Sequence, residues 1–91
     1  MKLPEHATLE QAAALAQTLP AAVASGTGVL QVDASAVQAC DSSTIALLLQ
    51  AHRLAQAAGR GIEVVGASAK LVQLATLYGV EDLLAFGEAQ A

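Results

Sequence analysis

A chain of 91 residues is long enough for one hydrophobic core and too short for two. Its formal net charge of −4, with four Lys and Arg in all, argues against nucleic acid as a partner, because phosphate neutralisation supplies much of that affinity, and disfavours an anionic membrane surface for the same reason. Hydrophobic residues make up 55% and aromatic residues 2%, so the core is built from Leu, Val, Ile and Ala, a composition suited to helices on a sheet.

The start, Met1-Lys2-Leu3-Pro4-Glu5-His6, lacks the apolar run of a signal peptide, and no stretch approaches the ~18 continuous apolar residues of a membrane span. Lys2-Leu3 is a candidate edge strand whose pairing Pro4 limits. Thr8-Leu9-Glu10-Gln11 has the spacing of a capping box and predicts a helix start. The helix has an apolar side of Leu9, Ala12, Ala16, Leu19 and Val23, and Pro20 is expected to kink it or split off its last turn. Gly26 and Gly28 close the segment. Val29-Leu30-Gln31-Val32 reads as a short buried strand ending in an Asp33-Ala34-Ser35 turn.

The next element is a long helix from about Ser42 to Ala58, with Gly59 and Gly61 as stop signals and Arg53 and Arg60 suited to the negative end of its dipole. Ile62-Glu63-Val64-Val65 is a second strand. Ser68 caps a third helix that carries Leu71, Leu74, Ala75 and Tyr78 on one side and ends at Gly79, and Glu81-Asp82-Leu83-Leu84 forms a last helical turn. Strand, helix, strand and helix with such short connections imply parallel strands joined by right-handed crossovers. The expected architecture is a single α/β domain over residues 1–91, a small mixed or parallel sheet with helices packed mainly on one face. The long helix separates two apolar stripes at ~100° per residue. Thr44, Leu47, Leu48, Ala51, Leu54, Ala55 and Ala58 share the arc that faces the sheet. Ser42 projects almost opposite, with Ile45 and Leu49 on its side. The expectation is a solvent-facing ridge of Ser42, Ile45 and Leu49, flanked by Asp41 and Ser43, that docks another protein. Two plainer readings stand beside it: Asp-Ser-Ser-Thr serves as an N-cap alone, or the N-terminal helix covers Ile45 and Leu49. A phosphate on Ser42 would be tolerated by the helix start, yet would set roughly −1.5 to −2 charges beside the apolar pair and spoil a contact there.

The chain resembles the STAS domain family, the sulfate-transporter and anti-sigma-factor-antagonist fold. The resemblance rests on Val32-Asp33-Ala34-Ser35-Ala36-Val37, Cys40-Asp41-Ser42-Ser43, the run Ile45-Ala46-Leu47-Leu48-Leu49, Gly59-Arg60, and Leu74-Ala75-Thr76-Leu77-Tyr78-Gly79-Val80 with Leu83-Leu84. Within the family the last stretch is most similar to the small STAS subunit of Mla-type phospholipid-transporting ABC systems of the Gram-negative inner membrane. That likeness implies a cytoplasmic protein, peripheral to the inner membrane, that binds the transporter's ATPase subunit without hydrolysing ATP, with Ser42 in the contact. In the anti-sigma factor antagonists the same position is the phosphorylated serine and the partner is a kinase-like anti-sigma factor, although Thr44 stands where many antagonists carry Gly.

A catalytic reading finds little support. His52 lies about 15 Å along the helix axis from Ser42, too far for direct proton transfer. Gly26-Thr27-Gly28 lacks the ending of a phosphate loop. Cys40 is read as a small buried apolar residue rather than a reactive thiol, and one cysteine makes no internal disulfide. Two widely separated histidines give no metal spacing. The expectation is therefore no enzyme, no cofactor and no metal.

Overall fold

The computed structural model describes residues 1–86. The elements are α1 (Leu9–Ala24), β1 (Leu30–Asp33), α2 (Ser42–Ala57), β2 (Ile62–Val65), α3 (Ala69–Leu77) and α4 (Glu81–Leu84). Strands β1 and β2 pair in parallel with Leu30 opposite Ile62 and Asp33 opposite Val65. Short extended segments widen this pair at both edges, Lys2 bridging to Asp33 and Phe86 to Val64, both parallel. The amide of Leu3 donates to the Asp33 carbonyl at 2.9 Å, and that of Asp33 to the Met1 carbonyl at 2.7 Å. The edge expected at Lys2-Leu3 therefore forms, and Pro4, which has no amide to donate, comes directly after its last ladder bond.

The strands alternate. Leu30, Val32, Ile62 and Val64 are buried, whereas Gln31 is exposed and Asp33, Glu63 and Val65 are half-buried. The sheet is thus sealed on one face by helices and open on the other, where the Gln31 amide donates to the Glu63 carboxylate at 3.1 Å. The short buried strand expected at residues 29–32 is buried at Leu30 and Val32, on one side only, and Val29 is exposed. Leu3, Leu19, Leu48, Leu71 and Leu84 are the largest fully buried side chains, so every helix contributes at least one anchor to a common core.

Helix α1 runs unbroken through Pro20, which points to solvent. The expected split of its last turn does not occur. Nor does the expected capping box: the Thr8 hydroxyl donates to the Gln11 side-chain oxygen at 2.8 Å rather than accepting from the backbone. Leu9, placed on the inner stripe by periodicity, is 72% exposed because it lies in the first turn, beyond the reach of the core. At the other end, the Arg60 guanidinium reaches back across the fold. It donates to the carbonyls of Val23 at 2.8 Å, Gly28 at 2.9 Å and Ala22 at 3.4 Å. Arg60 therefore caps α1 instead of complementing the dipole of α2, as its sequence position suggested. Ionic hydrogen bonds to several fixed carbonyls outweigh a diffuse attraction to one helix end.

Helices α2 and α3 close in the same way. Gly59 and Gly79 take left-handed backbone at φ 74° and 70°, and the following amides, Arg60 and Val80, return to the carbonyls of Ala55 and Ala75. Gly66, after β2, has φ 72°, and a Cβ on it would come within 2.7 Å of the Ser35 Cβ. This position admits no side chain without displacing the turn after β1.

Candidate functional site: the start of α2 and its flanking grooves

Three hydroxyls and one carboxylate meet at residues 41–44, and each has a different task. Asp41 is the N-cap: one carboxylate oxygen accepts from the Ser43 amide at 2.9 Å. Its other oxygen accepts from the Leu9 amide, the first of α1, at 3.4 Å. One side chain thus satisfies amides at the starts of two helices, which also explains why Thr8 is not needed as the cap of α1. Thr44 completes a capping box by accepting from the Asp41 amide at 3.1 Å. Fully buried, it also donates to the Ala7 carbonyl. Ser43 is half-buried on the α1 side, and Ser42 alone of the three is exposed.

The plain N-cap reading therefore holds for Asp41 and Thr44. Ser42 is left over, and nothing in the cap requires it.

The solvent-facing ridge of Ser42, Ile45 and Leu49 is not what the fold displays. Ile45 is only 3% exposed and belongs to the core, and Leu49 is half-buried against it. Helix α1 is not the cover. Instead the turn after α3 rises beside α2, so that Ser42, Ile45, Ala46, Leu49, Tyr78 and Val80 line an open depression of about 270 Å³. Helical projection gives the angle of Ile45 around its own axis and says nothing of what a later segment brings alongside. The residues missed in the sequence are Ala46, Tyr78 and Val80. Tyr78 was placed on the inner stripe of α3 but is its C-cap and is 52% exposed. A signal for Val80 was present: a residue just after a left-handed C′ glycine folds back over the helix end.

Electrostatics at the site are mild. Burial pushes the Cys40 thiol up, Lys70 opposes that rise and Asp41 adds to it. Cys40 is buried, in keeping with an apolar role. His52 is half-buried on α2, in neither groove. Among the described residues no cluster of His, Cys, Asp and Glu could hold a metal ion, and no helix is long and apolar enough to cross a membrane.

A family model described as MlaB, STAS domain, matches residues 1–85. The chain belongs to the STAS domain family. No curated protein matches the sequence. Among solved structures, this STAS domain is similar to a crystal structure from Thermotoga maritima, of a protein provisionally assigned as an anti-sigma factor antagonist, at 13% identity and a TM-score of 0.77. The match covers 92% of this chain and 74% of that one, and at such identity it shows the fold alone. The STAS fold expected from the motifs around Asp33, Asp41 and Gly79 is thereby established, and with it a kind of domain that generally mediates contacts between proteins.

Proposed function

We propose that this STAS domain, working as one unit, is a non-catalytic docking subunit that binds the ATPase subunit of an Mla-type phospholipid-transporting ABC transporter on its cytoplasmic side. The supporting observation is the exposed Ser42 hydroxyl at the rim of an apolar depression that Ile45 floors and half-buried Leu49 borders, on a helix start already capped by Asp41 and Thr44. Ser43 and Asp41 flank that contact, the first through the α1 side and the second by fixing the helix start. Ile45 acts from beneath, as the floor on which Leu49 and Tyr78 are presented. The family match supplies the direction toward the transporter.

The cognate ATPase co-purifies with the wild-type chain. Ser42→Glu and Leu49→Asp each weaken that complex by at least about tenfold, because a charge at the rim must be desolvated against an apolar partner surface. Retention of the ATPase by both variants at wild-type affinity removes the reading.

A second reading is favoured by the exposure of Ser42 beside two engaged hydroxyls and by the likeness to the Thermotoga maritima fold. Here the chain is an anti-sigma factor antagonist, with Ser42 phosphorylated by a kinase-like anti-sigma factor. Intact mass after incubation with such a kinase and ATP shows one added phosphate in the wild type and none in Ser42→Ala. Unchanged mass in both excludes it.

A further inference from the structure

Helix α2 turns outward a row of residues spaced by four, Ser42, Ala46 and Gln50, all exposed. On one flank lies the depression with Ile45, Leu49, Tyr78 and Val80. On the other, toward α1, is a second one of about 280 Å³, lined by residues that include Leu9, Ala13, Ala16 and Leu47. Ala46 borders both. A row at i, i+4 and i+8 is one of the natural ridges of a helix, and this ridge is low because its first two members are small. A low ridge between two apolar grooves is the counterpart of another helix, whose own ridges drop to either side of it.

Charge narrows the partner further. Leu9 at the α1 groove is followed by Glu10, and Val80 at the other groove by Glu81 and Asp82, all three carboxylates exposed. Among the described residues no cation lines either groove, and of the three carboxylates Glu81 accepts from the Thr76 hydroxyl at 2.7 Å. Arg53 lies beyond Gln50 on α2, Arg60 is turned into the carbonyls of α1, and Lys70 acts on the Cys40 side of Asp41.

We propose that the outer face of α2 seats a single α-helix of a protein partner, amphipathic and basic. It crosses over Ala46 with one aliphatic side chain in each groove and Lys or Arg toward Glu10 and toward Glu81 and Asp82. This rests on the docking reading above and names the partner's chemistry. An acidic helix of the same apolar pattern meets the exposed carboxylates that follow Leu9 and Val80 and is rejected, and the attraction of a basic one falls as salt rises.

Two measurements on the full chain test this, each able to fail separately from the ATPase assignment. In the first, a helical peptide of leucine and lysine about five turns long is titrated and followed by amide chemical shifts, with its glutamate-for-lysine counterpart as control. The basic peptide shifts Ala46, Leu49 and Tyr78 and binds at least about tenfold more tightly than the acidic one, and the preference disappears in the triple variant Glu10→Lys, Glu81→Lys, Asp82→Lys. Equal binding of the two peptides, or shifts confined to another face, overturns the proposal.

In the second, Ala46→Trp fills the ridge between the grooves from an exposed position. With the wild-type melting curve retained, it lowers affinity for the ATPase by at least about tenfold. An ATPase that binds Ala46→Trp as well as the wild type overturns the α2 helix seat and leaves the transporter reading standing. If the ATPase ignores the wild-type chain while the basic peptide maps to the grooves, the transporter reading falls and the helix seat stands.

Discussion

Thr44 is the most constrained residue of the site, and its constraint concerns folding rather than binding. Its hydroxyl accepts from Asp41 and donates to Ala7 while fully buried. Thr44→Val keeps the volume and leaves the part-buried Asp41 amide and the buried Ala7 carbonyl without their partner, a loss of about 1–3 kcal/mol measurable by urea unfolding. Asp33 offers a pH test. Hydrogen bonds from the Ser35 hydroxyl and amide, the latter at 2.9 Å, hold its carboxyl below the usual range. A carboxylate with a depressed folded pKa stabilises above its unfolded value, near ~3.9, and that contribution is lost as pH falls through the folded value. The stability difference between wild type and Asp33→Asn is therefore expected to be constant above about pH 5 and to shrink below about pH 4 in acid unfolding curves.

At the scale of elements, the periodic parts were legible. The strand at residues 62–65, the Ser68 cap, the Gly79 terminus and the single turn at residues 81–84 follow from local rules, and they form as those rules predict. Two of the departures arise where a charged side chain acts across the fold. Arg60 follows α2 in sequence yet serves α1, and the Asp41 carboxylate accepts from the first amide of α1, that of Leu9, from more than thirty residues away. No local pattern encodes either. The Arg60 role carries its own test: Arg60→Lys keeps the charge but cannot hold several carbonyls in a planar fork. It is expected to cost about 1.5–3 kcal/mol, with faster hydrogen exchange concentrated at residues 22–29. Uniform exchange across the chain would show that the guanidinium is not the cap of α1.

For the whole molecule, the candidate site was half legible. Its location at residues 41–49 and the exposure of Ser42 could be read from capping chemistry and helical angle. Its shape could not, because the second wall comes from the α3–α4 turn, brought alongside only when the chain closes on itself. The apolar pair treated as equivalent on the helical projection is therefore split in function. Ile45→Asp forces an unpaired charge into the core and is expected to abolish cooperative unfolding or lower its midpoint sharply. Leu49→Asp sits at a half-buried position packed against that core, and its unfolding midpoint is expected to fall much less than that of Ile45→Asp while partner binding is lost. Paired unfolding and binding curves separate the two, and equal loss of stability in both would make the depression a structural dent.

The bond from Thr44 to the Ala7 carbonyl joins the far end of the first seven residues to the first turn of α2. Those seven residues also supply the Met1 and Leu3 rungs beside β1. Cutting them away, or tugging them with a bulky fusion, would slacken the very turn that carries Ser42. A truncation designed merely to trim a loose-looking leader would then register as a broken interface, although no interfacial side chain had been touched.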